Sequence, residues 1–559
     1  MTEQTQEQKT RVAIYLDRDS MPAWAQRLVE ILHESAAVEL VGVIRAPDRR
    51  SSRREPNQKT RWRHGRLRRG VRLRIQNLYR TLVDRNALFV DAWKPADASV
   101  LGRLPHVQCT DPLGQPQCQA LIDMAFDVVV HCGLREVPER VVAMADHGVW
   151  SILGSPATLA QTYPAGFWPS LIGDTLTRSV LSVTFSNRAP IVLFESWMAT
   201  SRLSTRDNVS RHYWKSLYAI PRALARLQQL GAAQFFAECQ RRSDQSLPRN
   251  SVPGHPSAVR YALYVVGAMW RKVLQLLDTN LFEQRWRLRQ SGKFSLGQQT
   301  ELSAVFDNPQ GCYRADPFLY ETEGQYWLFF EEYADSRQLG HLSVVPIDEQ
   351  GQFSGEARII LEQPYHLSYP QVFEWQGEHY MLPETSANQT VELYKAIDFP
   401  YHWELQAVLM EEIDASDATL LFQANKWWLF ANVRTHVAIS SQDECFLFYS
   451  DSILGPWRPH ALNPVVSDCR TSRPAGAIFE RNGRLIRPTQ DSTFRYGYGL
   501  NFMEITELSE DAYSEVLLEH VPPDNATRAI GIHTYAELGQ ISYVDELFRR
   551  ARWNKDRTR

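Results

Sequence analysis

Residues 314–333 read RADPFLYETEGQYWLFFEEY: an acid before a proline, an apolar run, a Gly-containing turn, and a second apolar run that ends in acids. Two such runs joined by a short turn specify a β-hairpin. The pattern returns as LSYPQVFEWQGEHYMLPET (367–385), SDATLLFQANKWWLFAN (416–432) and SRPAGAIFERNGRLIRPTQD (472–491), with a looser echo, GIHTYAEL, at 531–538. The anchors Pro317, Pro370, Ala418, Pro474 and Thr534 stand 53, 48, 56 and 60 residues apart. Short strands repeating every ~50 residues predict a β-propeller with one blade per repeat. Five copies predict five blades over 284–545. QRWRLRQS (284–291) would supply the strand that closes the ring and leaves no open edge.

The first strand of each blade lines the central channel. Aligning the repeats therefore selects Asp316, Tyr369, Asp417, Arg473 and His533 as channel residues. The second strands end at Glu331 or Glu332, Glu384 and Gln490–Asp491, towards the same rim. Five polar side chains at one register point to a binding site, since mere packing would accept small or apolar residues. Glycosyl chemistry needs one carboxylic acid and one carboxylate. Asp316 is the expected general base and Glu384 the expected proton donor, with Asp417 holding the sugar or tuning its neighbours. Tyr369, Arg473, Arg487, Gln490, Asp491 and His533 are the expected substrate contacts. The two arginines suit an anionic group, and Tyr369, Trp375 and Trp403 suit stacking on a sugar. Plainer roles compete: Asp316 as a turn cap, Arg473 as a structural counter-ion, Trp427, Trp428 and Trp457 as blade core, His460 as a blade-edge hydrogen bonder.

Upstream, residues 11–204 alternate strand and helix signals. RVAIYLD (11–17), WAQRLVEILHES (24–35), VELVGVIRA (38–46), FDVVVHCG (126–133), VPERVVAMADHG (137–148) and VWSIL (149–153) follow in that order. This predicts a doubly wound α/β domain whose strand ends meet near Asp17–Asp19 and Cys132–Arg135. No G-x-G-x-x-G follows the first strand, and no ligand spacing points to a metal, so neither cofactor nor metal is expected. Residues 205–283 read as a helical region broken by the polar SDQSLPRNSVPGHPS (243–257), and its second helix is expected to pack domains together. Arg49–Arg74 holds twelve Lys/Arg against one acid, Glu55, a block that is either solvated or a peripheral contact with an anionic membrane.

The net charge of −3 gives no reason to expect nucleic acid as a partner. Seven scattered cysteines with no C-x-x-C pair suit a reducing compartment. With no signal-peptide pattern in MTEQTQEQKTRVAIYL and no bilayer-length apolar run, a cytoplasmic location is expected.

Seven motifs in order, ADPF (315–318), HLSYP (366–370), YMLPET (380–385), GPWRPH (455–460), RPAGA (473–477), RPTQD (487–491) and IHT (532–534), resemble the N-terminal domain of the plant glucosamine inositolphosphorylceramide transferase family. That domain is in turn similar to the five-bladed propellers of glycoside hydrolase family 43. The resemblance implies a propeller that handles a sugar or glycolipid. It departs from the hydrolases at the fourth repeat, where Arg473 stands in place of their acid. The expected function is glycosyl transfer in glycan or glycolipid assembly; a family 43 type hydrolase and a non-catalytic sugar-binding protein are the alternatives. The stretch DVVVHCGLREVPERVVAMADHGVWSILGS (127–155), followed by PAGFW (164–168), resembles the formyltransferase fold. Ser151 stands at that family's Asn and Leu153 at its His, and LFESWMATS (193–201) lacks its Asp. A leucine cannot shuttle a proton, so the resemblance implies a formyltransferase-like domain without formyl transfer.

Overall fold

The computed structural model describes residues 9–17, 20–46, 91–97, 99–110, 113–153, 163–245, 257–292, 305–437, 439–524 and 527–552. The basic stretch Arg49–Arg74 lies outside them. The chain forms two compact units, Met1–Leu274 and Gln275–Arg559.

The N-terminal unit is built on a seven-stranded sheet. Its strands are β1 (Thr10–Leu16), β2 (Val38–Arg45), β3 (His106–Gln108), β4 (Val128–His131), β5 (Val149–Leu153), β6 (Leu176–Thr184) and β7 (Ile191–Ala199), in the order β3-β2-β1-β4-β5-β6-β7. The first five are parallel and the last two antiparallel. The parallel strands are near-continuous Val/Ile/Leu runs, as strands covered on both faces must be. The order reverses beside β1, the topology of a doubly wound sheet. At that switch point Asp17 accepts the N–H groups of Leu134 and Arg135 at 2.6 and 3.0 Å. The two strand ends expected to hold a ligand are thus tied to each other. The helices are α1 (Ala23–Glu34), α2 (Gln115–Met124), α3 (Glu139–Met144), α4 (Phe167–Ile172), α5 (Thr205–Ser216), α6 (Ala219–Gln245) and α7 (Ala258–Leu281). Ser204 caps α5 by accepting the Asp207 N–H.

The C-terminal unit is a five-bladed β-propeller. Blade one is β8–β11 (Cys312–Thr322, Gln325–Ala334, Leu339–Ile347, Arg358–Leu361) and blade two β12–β15 (Ser368–Trp375, Glu378–Glu384, Thr390–Asp398, His402–Glu411). Blade three is β16–β19 (Ala415–Gln423, Lys426–Val433, Cys445–Ser450, Arg458–Pro459) and blade four β20–β23 (Phe479–Arg481, Arg484–Asp491, Gly499–Leu508, Tyr513–Val521). The fifth joins β24 (Gly531–Leu538) and β25 (Ile541–Ala551) to the early strand Phe282–Gln290, which pairs antiparallel with β25 from Phe282↔Ala551 to Gln290↔Tyr543. The closing strand expected at 284–291 therefore forms.

Four of the five repeat anchors are β-bulges. Pairing slips by one residue between Ala315 and Phe318, Ser368 and Gln371, Ser416 and Thr419, and Ile532 and Tyr535. Asp316-Pro317, Tyr369-Pro370, Asp417-Ala418 and His533-Thr534 thus each face a single residue across the hairpin. Asp316, Tyr369 and Asp417 sit at φ of 50°, 50° and 52°, a left-handed conformation that side chains disfavour. Bulges re-aim side chains, and three of the four share this conformation at the residue before the anchor. Blade four departs: Arg473 lies outside its strands, with only Pro474 bridged to Thr489.

Candidate active site

The bulge residues and the second-strand ends meet in a buried polar ring built from two similar clusters. In one, Asp545 of β25 accepts the backbone N–H of Asp316 at 2.9 Å and those of His533 and Thr534 at 3.0 Å each. The His533 ring bridges the two acids, Nε2 3.2 Å from Asp316 Oδ1 and Nδ1 2.7 Å from Asp545 Oδ2. Thr534 Oγ1 also donates to Asp316 Oδ1 at 2.6 Å. In the other, Glu384 of β13 accepts the backbone N–H of Asp417 at 2.9 Å. Arg473 grips Asp417 through Nε at 2.6 Å and Nη2 at 3.2 Å and lies 3.6 Å from Glu384. Gln490 Nε2 donates to Asp417 at 2.8 Å, and Tyr496 stacks under Arg473 at 4.8 Å.

Glu331 of β9 holds the register position that Glu384 holds in the next blade: each lies opposite the residue before a bulge. It is 6% exposed, its Oε1 accepts no hydrogen bond, and His366 Nε2 is 3.4 Å away. Two more ring oxygens, Asn432 Oδ1 and Gln490 Oε1, are buried without a donor from the protein.

Burial and the surrounding acids set the carboxyl groups apart. Burial, reinforced by Asp316 and Glu384, pushes the Glu331 pKa well above the usual carboxylate range, and burial together with Glu384 pushes Asp417 the same way against the opposing Arg473. Burial works in the same direction on Glu384, but Arg473 and the hydrogen bonds from Asp417 and Ser386 override it and hold Glu384 below its usual value. Asp316 is raised by burial, with His533 opposing. Burial lowers the His533 pKa, yet Asp545 and Asp316 prevail and raise it. Asp316, His533 and Asp545 bring ligand-type atoms within 4.8 Å of one another.

Of the residues selected from sequence, Asp316, Glu384, Asp417, Arg473, Gln490 and His533 come together in this ring. Other expected roles differ from what the geometry shows. Glu384, expected as proton donor, is held ionised by Arg473. Tyr369 is fully buried, its hydroxyl bonded to Thr419 and to the Gly476 N–H and its ring edge-on to Phe318, so it offers no face to a sugar. Arg487 is enclosed within blade four, paired with Glu515 at 2.8 Å and bonded to the Thr471 carbonyl, and does not reach the ring. Asp491 caps a turn, accepting the N–H and hydroxyl of Thr493 at 2.9 and 2.6 Å. Arg473 itself is committed to Asp417 and, through Nη1, to the Ser441 carbonyl at 3.0 Å, which removes the expected anion site. Trp403 belongs to the core of blades one and two, and Trp375 packs against Phe422 and Trp427. His460 holds a blade edge through the Ser509 carbonyl at 2.8 Å. Sequence reasoning missed Asp545 and Tyr496. Asp545 was within reach: reading the fifth repeat past Leu538 into ISYVDEL (541–547) places an acid on its second strand.

Residues 303–530 match the family model described as "Glucosamine inositolphosphorylceramide transferase 1, N-terminal". The C-terminal region carries this domain. The chain is 36% identical over 204 residues to glucosamine inositolphosphorylceramide transferase 1 of Oryza sativa subsp. japonica, covering 36% of this chain and 27% of the relative. It is 31% identical over 235 residues to the Arabidopsis thaliana protein of that name, covering 41% and 30%. The match thus spans less than a third of those relatives. Among solved structures, Cellvibrio cellulosa α-L-arabinanase with arabinohexaose aligns at TM-score 0.28 and 14% identity over 36% of this chain and 77% of its own. A β-1,2-mannobiose phosphorylase from Listeria innocua aligns at TM-score 0.32 and 10% identity over 43% and 92%.

Proposed function

We propose that the C-terminal unit binds the sugar portion of a glycolipid or glycan at the ring and transfers a glycosyl group there. The observation that carries this reading is the contrast between Glu331, whose Oε1 is buried without a donor, and Glu384, 3.6 Å from Arg473, on equivalent positions of adjacent blades. Pairs of carboxyls with opposed protonation are the working parts of glycosyl chemistry. Glu331 acts as proton donor to the departing oxygen. Asp316, aimed by its bulge and steadied by Thr534 and His533, takes the proton of the attacking hydroxyl. The Asp417–Arg473–Glu384 group fixes the sugar's position. The oxygens of Glu331, Asn432 and Gln490 that lack donors suit sugar hydroxyls. The names of the homologous relatives support a glycolipid as the acceptor.

The test is transfer from a panel of radiolabelled nucleotide sugars to inositolphosphorylceramide in mixed micelles. Label should reach the lipid with the native chain and fall ~100-fold or more with Glu331→Gln or Asp316→Asn, the span typical of general acid–base catalysis. Full activity in both variants would remove catalysis from the ring. A second reading, sugar binding without turnover, is favoured by the deep burial and mutual pairing of every ionisable ring group. It requires saturation-transfer signals from glucosamine and no product with any donor.

We also infer that the N-terminal unit is a formyltransferase-like fold without that chemistry. Its parallel-then-antiparallel strand order supports this, as do Ser151 and Leu153 on β5. The nearby His131, 3.3 Å from Ser151 Oγ, is lowered by burial to about 4 and is neutral. Micromolar binding of a 10-formyl folate in calorimetry would overturn the inference.

A further inference from the structure

In blade four, β21 ends by bringing Gln490 to Asp417 in the ring, so the loop 492–498 that leads on to β22 starts at the ring. Tyr496 of this loop lies against the ring as well, 4.8 Å from the Arg473 guanidinium and edge-on to His533 at 5.2 Å. Gly497 holds the loop close: its φ is 60°, and a Cβ there would meet His533 and Trp286 at 2.8 Å each.

The two residues before Tyr496 are Phe494 and Arg495. Phe494 is 57% exposed, with its ring against Tyr498 at 4.6 Å. Arg495 is partly buried, yet among the described residues no hydrogen bond or ion pair reaches its guanidinium. Four other propeller arginines each have an acid: Arg314 pairs with Glu332, Arg473 with Asp417, Arg487 with Glu515 and Arg549 with Asp278. Burial first, and then the charge of Arg549, lower the Arg495 pKa, with Asp278 and Tyr498 opposing; a guanidinium stays charged through such a shift. A cation partly withdrawn from water, unpaired and crowded by a second cation, carries a cost that a bound anion removes.

Arg549 also locates this cation. It stands on β25 four residues beyond Asp545, ~13 Å along the strand at ~3.3 Å per residue. Arg495, within the field of Arg549, therefore sits outside the ring carboxyls, at their mouth. A guanidinium presents a planar fork of N–H donors that fits phosphate oxygens. The exposed aromatic beside it offers an apolar surface to the C–H face of a sugar or inositol ring.

We propose that Arg495 and Phe494 form a phosphate-binding subsite at the mouth of the ring, with the guanidinium on a substrate phosphate and Phe494 against the adjoining sugar or inositol ring. This rests on the glycosyl-transfer reading, whose two substrates, a nucleotide sugar and a phosphate-linked glycolipid, both carry that group. The subsite supplies the anion contact that the paired Arg473 and Arg487 do not.

Calorimetry of the full chain with myo-inositol 1-phosphate, myo-inositol and uridine diphosphate tests it. The inositol phosphate should bind at least ~10-fold more tightly than inositol, and Arg495→Gln should remove that preference. The melting temperature should stay unchanged, because the native side chain has no partner to lose. If uridine diphosphate is instead the ligand that Arg495→Gln weakens, the phosphate is the donor's and the subsite stands. Phe494→Ala should weaken the same ligand about fivefold and Phe494→Trp should not. Three results would overturn the proposal: native affinity for both phosphates in Arg495→Gln, native affinity in Phe494→Ala, or neither phosphate binding the native chain at millimolar concentration. The two readings fail separately. A chain that transfers no sugar can still prefer the phosphate, and one that transfers with native KM in Arg495→Gln loses only the subsite.

Discussion

The two clusters of the propeller ring use one construction with two different cations. In both, a carboxylate on a second strand accepts the backbone N–H of an aspartate in the following blade, at 2.9 Å. Both aspartates sit at the same bulge with positive φ. In the Asp316 cluster the bridging cation is His533, whose charge depends on pH; in the Asp417 cluster it is Arg473, whose charge does not. The cation of the first cluster can therefore give up its charge as pH rises, and that of the second cannot. A repeated scaffold has been divided into a reactive side and an anchoring side by a single choice of residue in each.

The largest effect expected from this division is on turnover. Asp316→Asn should lower glycosyl transfer ~10²–10⁴-fold while sugar binding, read by saturation-transfer NMR, persists. A variant that keeps more than a tenth of the rate would erase the distinction between the clusters. Next comes stability on the anchoring side. Arg473→Met strands Asp417 and Glu384 in a buried site and should cost about 3–5 kcal/mol in urea unfolding of the propeller. Arg487→Met, which strands Glu515 outside the ring, should cost a similar amount but leave sugar affinity intact in the folded fraction. Equal loss of affinity in both would show that Arg473 is nothing more than a structural counter-ion.

A smaller effect follows from Glu331. Its folded pKa is raised above the ordinary 4.5, so the native state keeps a proton that the unfolded chain releases. Stability is full below that value and declines as pH rises towards the folded pKa. Glu331→Gln should therefore be more stable than the native chain at pH 8, by an amount on the order of 1 kcal/mol, and show no gain at pH 4. The alkaline limb of the rate profile should vanish with it. An unchanged difference between pH 4 and pH 8 would contradict a neutral Glu331. The smallest change is expected at Asp491→Ala: about 1 kcal/mol for the lost turn cap, with the transfer rate unaltered.

The repeat was legible because a hairpin is local: alternating apolar runs, a Gly turn and a Pro or Ala anchor lie within twenty residues. Its register carried over to the channel, since the bulge falls on the same motif position in four blades. Asp316, Asp417 and His533 were found this way, and Arg473 by its place before the Pro474 anchor. The errors share one physical origin. Tyr369 occupies the same register but its ring is large and apolar, so it turned into the Phe318 core. Arg487 and Asp491 follow motif positions whose side chains alternate away from the channel, as strand periodicity allows. On α7, the apolar pattern was visible but the exposure of Leu263 and Trp270 was not, because periodicity marks an apolar face without saying what covers it.

By itself, the sequence determined the propeller, its blade count and most of the residues that face its axis, because these follow from hairpin period and strand alternation. Tertiary structure decided which carboxyl is protonated, which arginine is already paired and which aromatic is core. Those properties arise between groups distant along the chain: Thr534 reaches Asp316 across 218 residues, and Asp316 reaches Asp545 across 229. A charge state depends on burial and on neighbours delivered from other blades, and no local pattern encodes either.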